Sequence, residues 1–229
     1  MEVEDFTNGK VILIDKPLNW TSFQVVNKIR WAIRRKFNLK KIKVGHAGTL
    51  DPLATGLLIL CTGKMTKKIN LYQAENKEYT GTITLGATTP SFDLETEINK
   101  TFPIDHITEE LILDGAQSFT GLIQQKPPIY SAIKKDGVRL YELARKGEQT
   151  EIKSREVHII DFEITKIELP QVNFRIQCSK GTYIRSIADD FGKKLECGAH
   201  LSSLRRTKSG TFDLTTAVSP ESFVETLDI

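Results

Sequence analysis

Residues 43–66 read K-V-G-H-A-G-T-L-D-P-L-A-T-G-L-L-I-L-C-T-G-K-M-T, from Lys43 to Thr66. Gly45, Gly48 and Gly56, with His46 and the pair Asp51-Pro52, stand ahead of an unbroken apolar run, Leu57 to Cys61. Glycines this dense let the backbone take φ > 0 and let another segment come close. Pro52 fixes its own φ and pushes Asp51 out of the α region, toward an extended or turn conformation. The apolar run is too short for a helix and has the pattern of a buried strand. Together these predict a restricted carboxylate, five residues after a histidine, on a glycine-hinged loop that feeds the core. Loops held by a rigid scaffold are where functional groups concentrate.

Upstream, residues 10–15 (K-V-I-L-I-D) predict a buried strand that stops at Lys16-Pro17. Thr21 or Ser22 can cap a helix over 23–37, with Val25, Val26, Ile29 and Ile33 on one face. Downstream, the pattern predicts a short helix over 65–72, a Thr-rich strand over 78–85 and a turn-rich stretch over 86–93. A helix over 108–119 starts at Thr108, with Leu111 at the matching spacing. Residues 121–147 contain Pro127-Pro128, the turn signal Asp136-Gly137 and a short basic helix over 138–146. Ile160, Phe162 and Ile164 alternate with polar neighbours, as do Val172, Phe174, Ile176 and Cys178, so an antiparallel hairpin turning over 169–173 is expected. Ile184, Ile187, Phe191 and Leu195 make the buried stripe of a helix over 183–195, followed by a basic strand-like segment over 200–208. Mixed helices and antiparallel strands define an α+β class.

A chain of 229 residues can bury one large core or two small ones. No apolar run approaches the ~20 residues of a membrane-spanning helix. The acidic start M-E-V-E-D-F is no signal peptide, so a cytoplasmic location is expected. Cys61, Cys178 and Cys197 and the four histidines (46, 106, 158, 200) are scattered, which predicts neither a disulfide framework nor a metal site. The net charge of +3 is unevenly placed: Lys28 to Lys43 holds eight basic residues and no acid, whereas Ser91 to Asp114 holds seven acids and one lysine. The basic segment suits a polyanion.

The stretch G-H-A-G-T-L-D-P-L-A-T-G-L-L resembles the catalytic-loop motif of bacterial tRNA pseudouridine-55 synthases, the TruB family. The resemblance recurs along the chain. Ile14-Asp15-Lys16-Pro17 with Thr21-Ser22 is similar to the family's first motif, and Lys77-Glu78-Tyr79 to the strand that supplies an active-site tyrosine. C-S-K-G-T-Y-I-R, from Cys178 to Arg185, and Gly198-Ala199-His200-Leu201 through Leu204-Arg205-Arg206 resemble two further core motifs. Residues 125–147 look like the family's thumb loop, which grips RNA. Each motif is short; their order and spacing are what is specific.

The resemblance implies a mixed, mainly antiparallel central sheet flanked by helices, in a pseudouridine-synthase-like core over 1–210 with a thumb loop at about 121–150. It implies isomerisation of uridine 55 in the T-loop of tRNA: the N1–C1′ bond breaks, the uracil turns and rejoins through C5. Nothing is oxidised and no group enters or leaves, so no cofactor is expected. Asp51 is the implied nucleophile; attack at C1′, attack on the base and elimination at C2′ all stay open. Its carboxylate must be ionised and aimed, the task assigned to Arg185, whose alternative is a phosphate contact. A flipped base needs a clamp, here Tyr79 and Leu204, and His46 fills the space it leaves. Gly45, Lys16, Lys180 and Tyr183 join the same substrate-binding set, Lys180 at a phosphate and Tyr183 in the pocket or capping its helix. Arg30, Arg34, Arg35, Lys40, Lys41 and Lys43, with Lys134, Lys135, Arg139 and Arg145 of the thumb, are the expected backbone contacts.

The implied partner is tRNA, read through the shape of its T-arm stem-loop, by a monomer away from membranes. Longer family members carry a C-terminal RNA-binding domain after the last core motif. Only about twenty residues follow Thr207 here, so a short form without that domain is expected, with 211–229 as a tail. A tRNA-folding chaperone without essential catalysis is the alternative of another class; a nucleoside hydrolase using Asp51 is a third, and lacks a clear second carboxylate.

Overall fold

A computed structural model describes residues 2–131, 133–135, 137–145 and 152–228. The chain forms two compact units, Met1–Tyr79 with Leu204–Ile229, and Thr80–Ser203. The first begins with α1 (Val3–Asn8), β1 (Val11–Lys16), α2 (Ser22–Lys36), β2 (Val44–His46) and β3 (Ala54–Thr62), then a 3₁₀ turn (Gly63–Lys68) and α3 (Ile69–Ala74). β4 (Lys77–Leu85) carries the chain into the second unit. There follow β5 (Ala87–Thr88), β6 (Lys100–Thr101), α4 (Glu109–Gln117), β7 (Gly121–Gln125), β8 (Lys134–Lys135), β9 (Val138–Arg139) and α5 (Leu140–Arg145). β10 (Arg155–Glu168), β11 (Gln171–Cys178) and α6 (Ile184–Lys194) complete that unit. β12 (Ala199–Ser209) brings the chain back to β13 (Phe212–Asp213), a second 3₁₀ turn (Leu214–Thr216) and α7 (Pro220–Glu225). The fold is α+β, with antiparallel pairing dominant.

In the first unit β3 is central, antiparallel to β1 and β2 and parallel to β12. Leu57 to Cys61 are all fully buried, which explains a continuous apolar run where a half-exposed strand would alternate. Ala47, Leu57 and Ile59 pack with Val11, Leu13, Ile69, Tyr72, Phe212 and Leu214. α2 turns Val25, Val26, Ile29, Ala32 and Ile33 inward, against β2 and α7. Its cap is Thr21: Thr21 Oγ1 accepts from the Gln24 N–H at 3.1 Å, and the Gln24 side chain accepts from the Thr21 N–H at 2.7 Å. That leaves Ser22 for another task.

Residues 211–229, expected as a tail, are built into this unit. Asp15 N–H donates to the Val218 carbonyl at 2.9 Å, and Phe223 and Leu227 of the C-terminal segment are buried, Phe223 edge-on to Phe6 of α1. α1 itself had no signal beyond one buried phenylalanine in a polar hexapeptide.

In the second unit β10 and β11 form the predicted hairpin, with β7 beyond β10 and β4 beside β11. Ile160 does not point inward as simple alternation predicts; it is 37% exposed. A register shift between Ile159 and Asp161 is the cause: a bulge turns the strand so that Ile159 and Phe162 both face the core. Phe162 meets Phe119, Phe174 and Phe191 in tilted and edge-on contacts, and α6 adds Ile184, Ile187 and Leu195 to that core.

Where β3 and β12 run parallel, Arg206 stands opposite Gly56. Gly56 has φ +98°, and a Cβ there would lie 2.3 Å from the Arg206 carbonyl oxygen. Gly56→Ala should therefore cost about 2 kcal/mol or more of stability, read as a lowered urea midpoint at unchanged slope; an unshifted midpoint would show that the strands can part freely.

Candidate active site

In the first unit, the chain between β2 and β3 forms the loop that carries Asp51, and three buried side chains hold it. Lys16 ends β1 with no exposed surface, and its ammonium donates to the carbonyls of Pro17 (2.9 Å), Trp20 (2.5 Å) and Pro52 (3.3 Å). The Asn19 N–H donates to the same Pro52 carbonyl at 2.9 Å. Ser22 Oγ accepts from the Leu50 N–H at 2.9 Å and donates to the Leu50 carbonyl at 3.1 Å. Arg206, 2% exposed, donates from Nε to the Leu57 carbonyl (2.7 Å) and from Nη2 to the Gly48 carbonyl (3.2 Å). Leu50 and Pro52, the two neighbours of Asp51, are thus both fixed by backbone contacts. Half-buried Asp51 closes the turn by accepting the Ala54 N–H at its own carbonyl, 3.1 Å away.

The loop also sits in a positive field. Burial pulls the Lys16 ammonium down from 10.5 to about 8; nearby Asp51 opposes that fall and Arg206 adds to it. His46, half-buried on β2, is lowered from 6.5 by burial and then by Arg206, so its imidazole is neutral at neutral pH. Leu204, half-buried, pairs with Ala54 across the parallel strands, and Tyr79 of β4 is 9% exposed.

One expected substrate contact is corrected here. An ammonium has three hydrogens and no acceptor, and Lys16 uses all three on the backbone, so it is a clamp on the loop and not a hand for substrate. At Gly45 a Cβ would lie 2.8 Å from Ile69 Cδ1. A second correction concerns RNA. Arg30 turns inward, Nη1 donating to Asn27 Oδ1 (2.8 Å) and Nη2 to the Val44 carbonyl (3.0 Å), and so ties α2 to β2. Arg34, Arg35, Lys40, Lys41 and Lys43 are exposed. The side chains of Lys134, Lys135, Arg139 and Arg145 lie outside the described residues.

In the second unit, Arg185 is 3% exposed in the first turn of α6. Its Nε lies 3.5 Å from Asp93 Oδ2, and its Nη1 donates to the Ser91 carbonyl at 3.3 Å. Asp93 is buried too, and its backbone carbonyl accepts from Thr89 Oγ1 (2.6 Å) and Ser91 Oγ (3.1 Å). A buried guanidinium needs such a paired, hydrogen-bonded seat. Sequence reasoning missed Asp93; the available signal was an acid closing the turn-rich stretch before the acidic segment. Tyr183 is the N-cap residue of α6. Fully buried Gln125 takes its N–H (2.8 Å) and gives to its carbonyl (3.0 Å), while the Arg155 guanidinium lies 4.8 Å from its ring centroid. Lys180 is exposed. Gln125, read only as the start of the thumb segment, and Arg155, outside every motif, were also missed. Among the described residues no His, Cys, Asp and Glu group is placed to hold a metal ion.

The lowered pKa of Lys16 sets a pH dependence. The folded protein binds this proton more weakly than the unfolded chain does, so the contribution of Lys16 to stability grows as pH rises from about 8 toward 10.5. Urea denaturation of wild type and Lys16→Met over that range should show wild type gaining on the variant. A constant difference would mean that the ammonium is not buried.

Comparison with known proteins places the chain in a family. Residues 34–184 match the model for the TruB family pseudouridylate synthase N-terminal domain, and residues 185–228 match the model for the tRNA pseudouridylate synthase B C-terminal domain. The expected short form is thereby overturned. The second match begins inside α6 and runs through β12 and α7, so the C-terminal module is woven into the core strands and does not trail them. The tRNA pseudouridine synthase B of Flavobacterium johnsoniae is 60% identical over 228 residues, 99% of this chain and 100% of that one. That of Phocaeicola vulgatus is 56% identical over 224 residues, 98% of this chain and 95% of the other. A chain in the crystal structure of a Cbf5-Nop10-Gar1 complex superposes with TM-score 0.73 at 31% identity, covering 98% of this chain but 56% of that one. This chain thus spans little more than half the length of that solved relative. With two successive family domains matched and relatives this similar, the chain belongs to the TruB family of pseudouridylate synthases and is an isomerase of the tRNA pseudouridine synthase B type.

Proposed function

We propose that this tRNA pseudouridine synthase acts on uridine 55 in the T-arm stem-loop, as a cytoplasmic monomer, with the Asp51 carboxylate as its catalytic group. The observation that carries this reading is the immobilised loop around Asp51: backbone contacts to Leu50 and Pro52 fix the carboxylate's attachment before any RNA arrives. Preorganisation of this kind removes an orientational cost from the barrier. The neighbouring Lys16 charge favours the ionised carboxylate.

In the reaction the N1–C1′ bond breaks, the freed uracil turns, C5 bonds to C1′, and the C5 proton is lost while N1 gains one. The product is an isomer of the substrate. Asp51 serves by attack at C1′, by attack on the base or by starting elimination at C2′, and the proposal commits to the carboxylate and not to one of these routes. The uridine is flipped out of the RNA, against Tyr79 and Leu204. A neutral His46 fills the gap without bringing a charge out of water. Arg185 is proposed to serve the same reaction through its guanidinium, and Lys180, Arg34, Arg35, Lys40, Lys41 and Lys43 to contact phosphates.

The test is nucleoside analysis of a T-arm stem-loop RNA after incubation with wild type or Asp51→Asn. Wild type should form pseudouridine at one position, and the variant should be slower by at least about a thousandfold. Near-equal rates would remove Asp51 from the chemistry.

A further inference from the structure

Trp31, on α2, is 49% exposed, and the Arg35 guanidinium lies 5.1 Å from its ring centroid. Tryptophan is usually among the more buried residues. Here it stands in the most basic part of the chain, with exposed Arg34, Lys40, Lys41 and Lys43 nearby in sequence and no acid between Lys28 and Lys43. Within that segment Arg30 is turned inward and Lys36 lies 3.4 Å from Asp228, so neither explains the rest. Arg34 Nε donates to the Leu39 carbonyl at 3.2 Å, and Arg35, Lys40, Lys41 and Lys43 stay exposed beyond it.

An indole with a guanidinium laid on it offers two flat faces to a nucleobase, and the surrounding cations suit the phosphates on either side of that base. The position along α2 separates this patch from the reacting uridine. Ser22, at the start of the helix, grips Leu50 beside Asp51. At about 1.5 Å per residue, Trp31 lies about 14 Å and Arg35 about 20 Å further along the helix axis. RNA bound at the reacting base must extend along α2 to reach the patch.

We infer that Trp31 and Arg35 form a second RNA contact, stacking an unpaired base of the tRNA outside the T-arm while Arg34, Lys40 and Lys41 take neighbouring phosphates. The inference rests on tRNA being the substrate. It makes Trp31 a residue that distinguishes whole tRNA from an isolated stem-loop. Phosphate contacts alone position an RNA without discriminating, whereas a stacked base gives a contact that only the intact molecule supplies.

The experiment measures kcat/KM on a full-length tRNA transcript and on the isolated T-arm stem-loop, for wild type, Trp31→Ala and Trp31→Phe. Trp31→Ala should lose about tenfold on whole tRNA, through KM, with the stem-loop value unchanged. Trp31→Phe should recover most of the loss, because a phenyl ring still stacks. Unchanged turnover of whole tRNA, or an equal loss on both RNAs, would overturn the inference. Should wild type convert neither RNA, the catalytic reading fails separately; equilibrium binding of the two RNAs by wild type and Trp31→Ala then decides on the patch alone.

Discussion

The ammonium of Lys16, shut away from solvent and pointed at three backbone carbonyls, is the constraint on which the first unit's loop depends. A buried cation is tolerable only when its hydrogens are all received. The contact therefore works in both directions: the carbonyls of Pro17, Trp20 and Pro52 make Lys16 bearable, and Lys16 makes any displacement of Pro52 costly. Ser22 does the same for Leu50 with a neutral hydroxyl, and Arg206 for Gly48 from a strand distant in sequence. β1, α2 and β12 each lend one buried donor to a loop that has no hydrogen-bonded regularity of its own. Asp51 inherits its position from that convergence.

Charge in this chain is divided by exposure. Lys16, Arg30, Arg206 and, in the second unit, Arg185 are wholly or partly withdrawn from water and given to carbonyls or a carboxylate. These cations shape the protein. Arg34, Arg35, Lys40, Lys41 and Lys43 remain in solvent and are available to an RNA. A net charge of only +3 conceals this division, because seven acids between Ser91 and Asp114 offset the basic segment in the sum. Long-range attraction to a polyanion depends on where charge lies more than on its total.

Much of the fold was legible in the sequence because local rules and tertiary needs coincide. The Leu57 to Cys61 run and the Ile184, Ile187, Phe191, Leu195 stripe appear as predicted, and of the two caps offered, Thr21 or Ser22, the structure takes Thr21. Alternation in β10 failed at Ile160, since a bulge is a property of strand pairing that one strand's residues do not announce. The C-terminal module was missed for a related reason: an appended domain was sought after Arg206, whereas the match starts at Arg185 and shares the core. At the candidate site, motif order singled out Asp51 and the loop that carries it. It could not tell a clamp from a contact, so Lys16 and Arg30 were assigned outward roles, whereas both side chains bond to the protein's own backbone. Asp93, Gln125 and Arg155 were missed, because each is defined by a partner far along the chain.

The claim that backbone clamps preorganise Asp51 is tested most directly with Ser22→Ala, a change that leaves every charge and Asp51 itself in place. Removing the hydroxyl strands the buried Leu50 N–H and carbonyl and loosens the loop on one side. Single-turnover formation of pseudouridine, measured together with RNA affinity, separates positioning from binding. The account predicts a rate lowered by about a hundredfold with affinity held within about twofold. A wild-type rate in a folded Ser22→Ala protein would contradict it and mean that Asp51 is placed by the RNA and not by the fold.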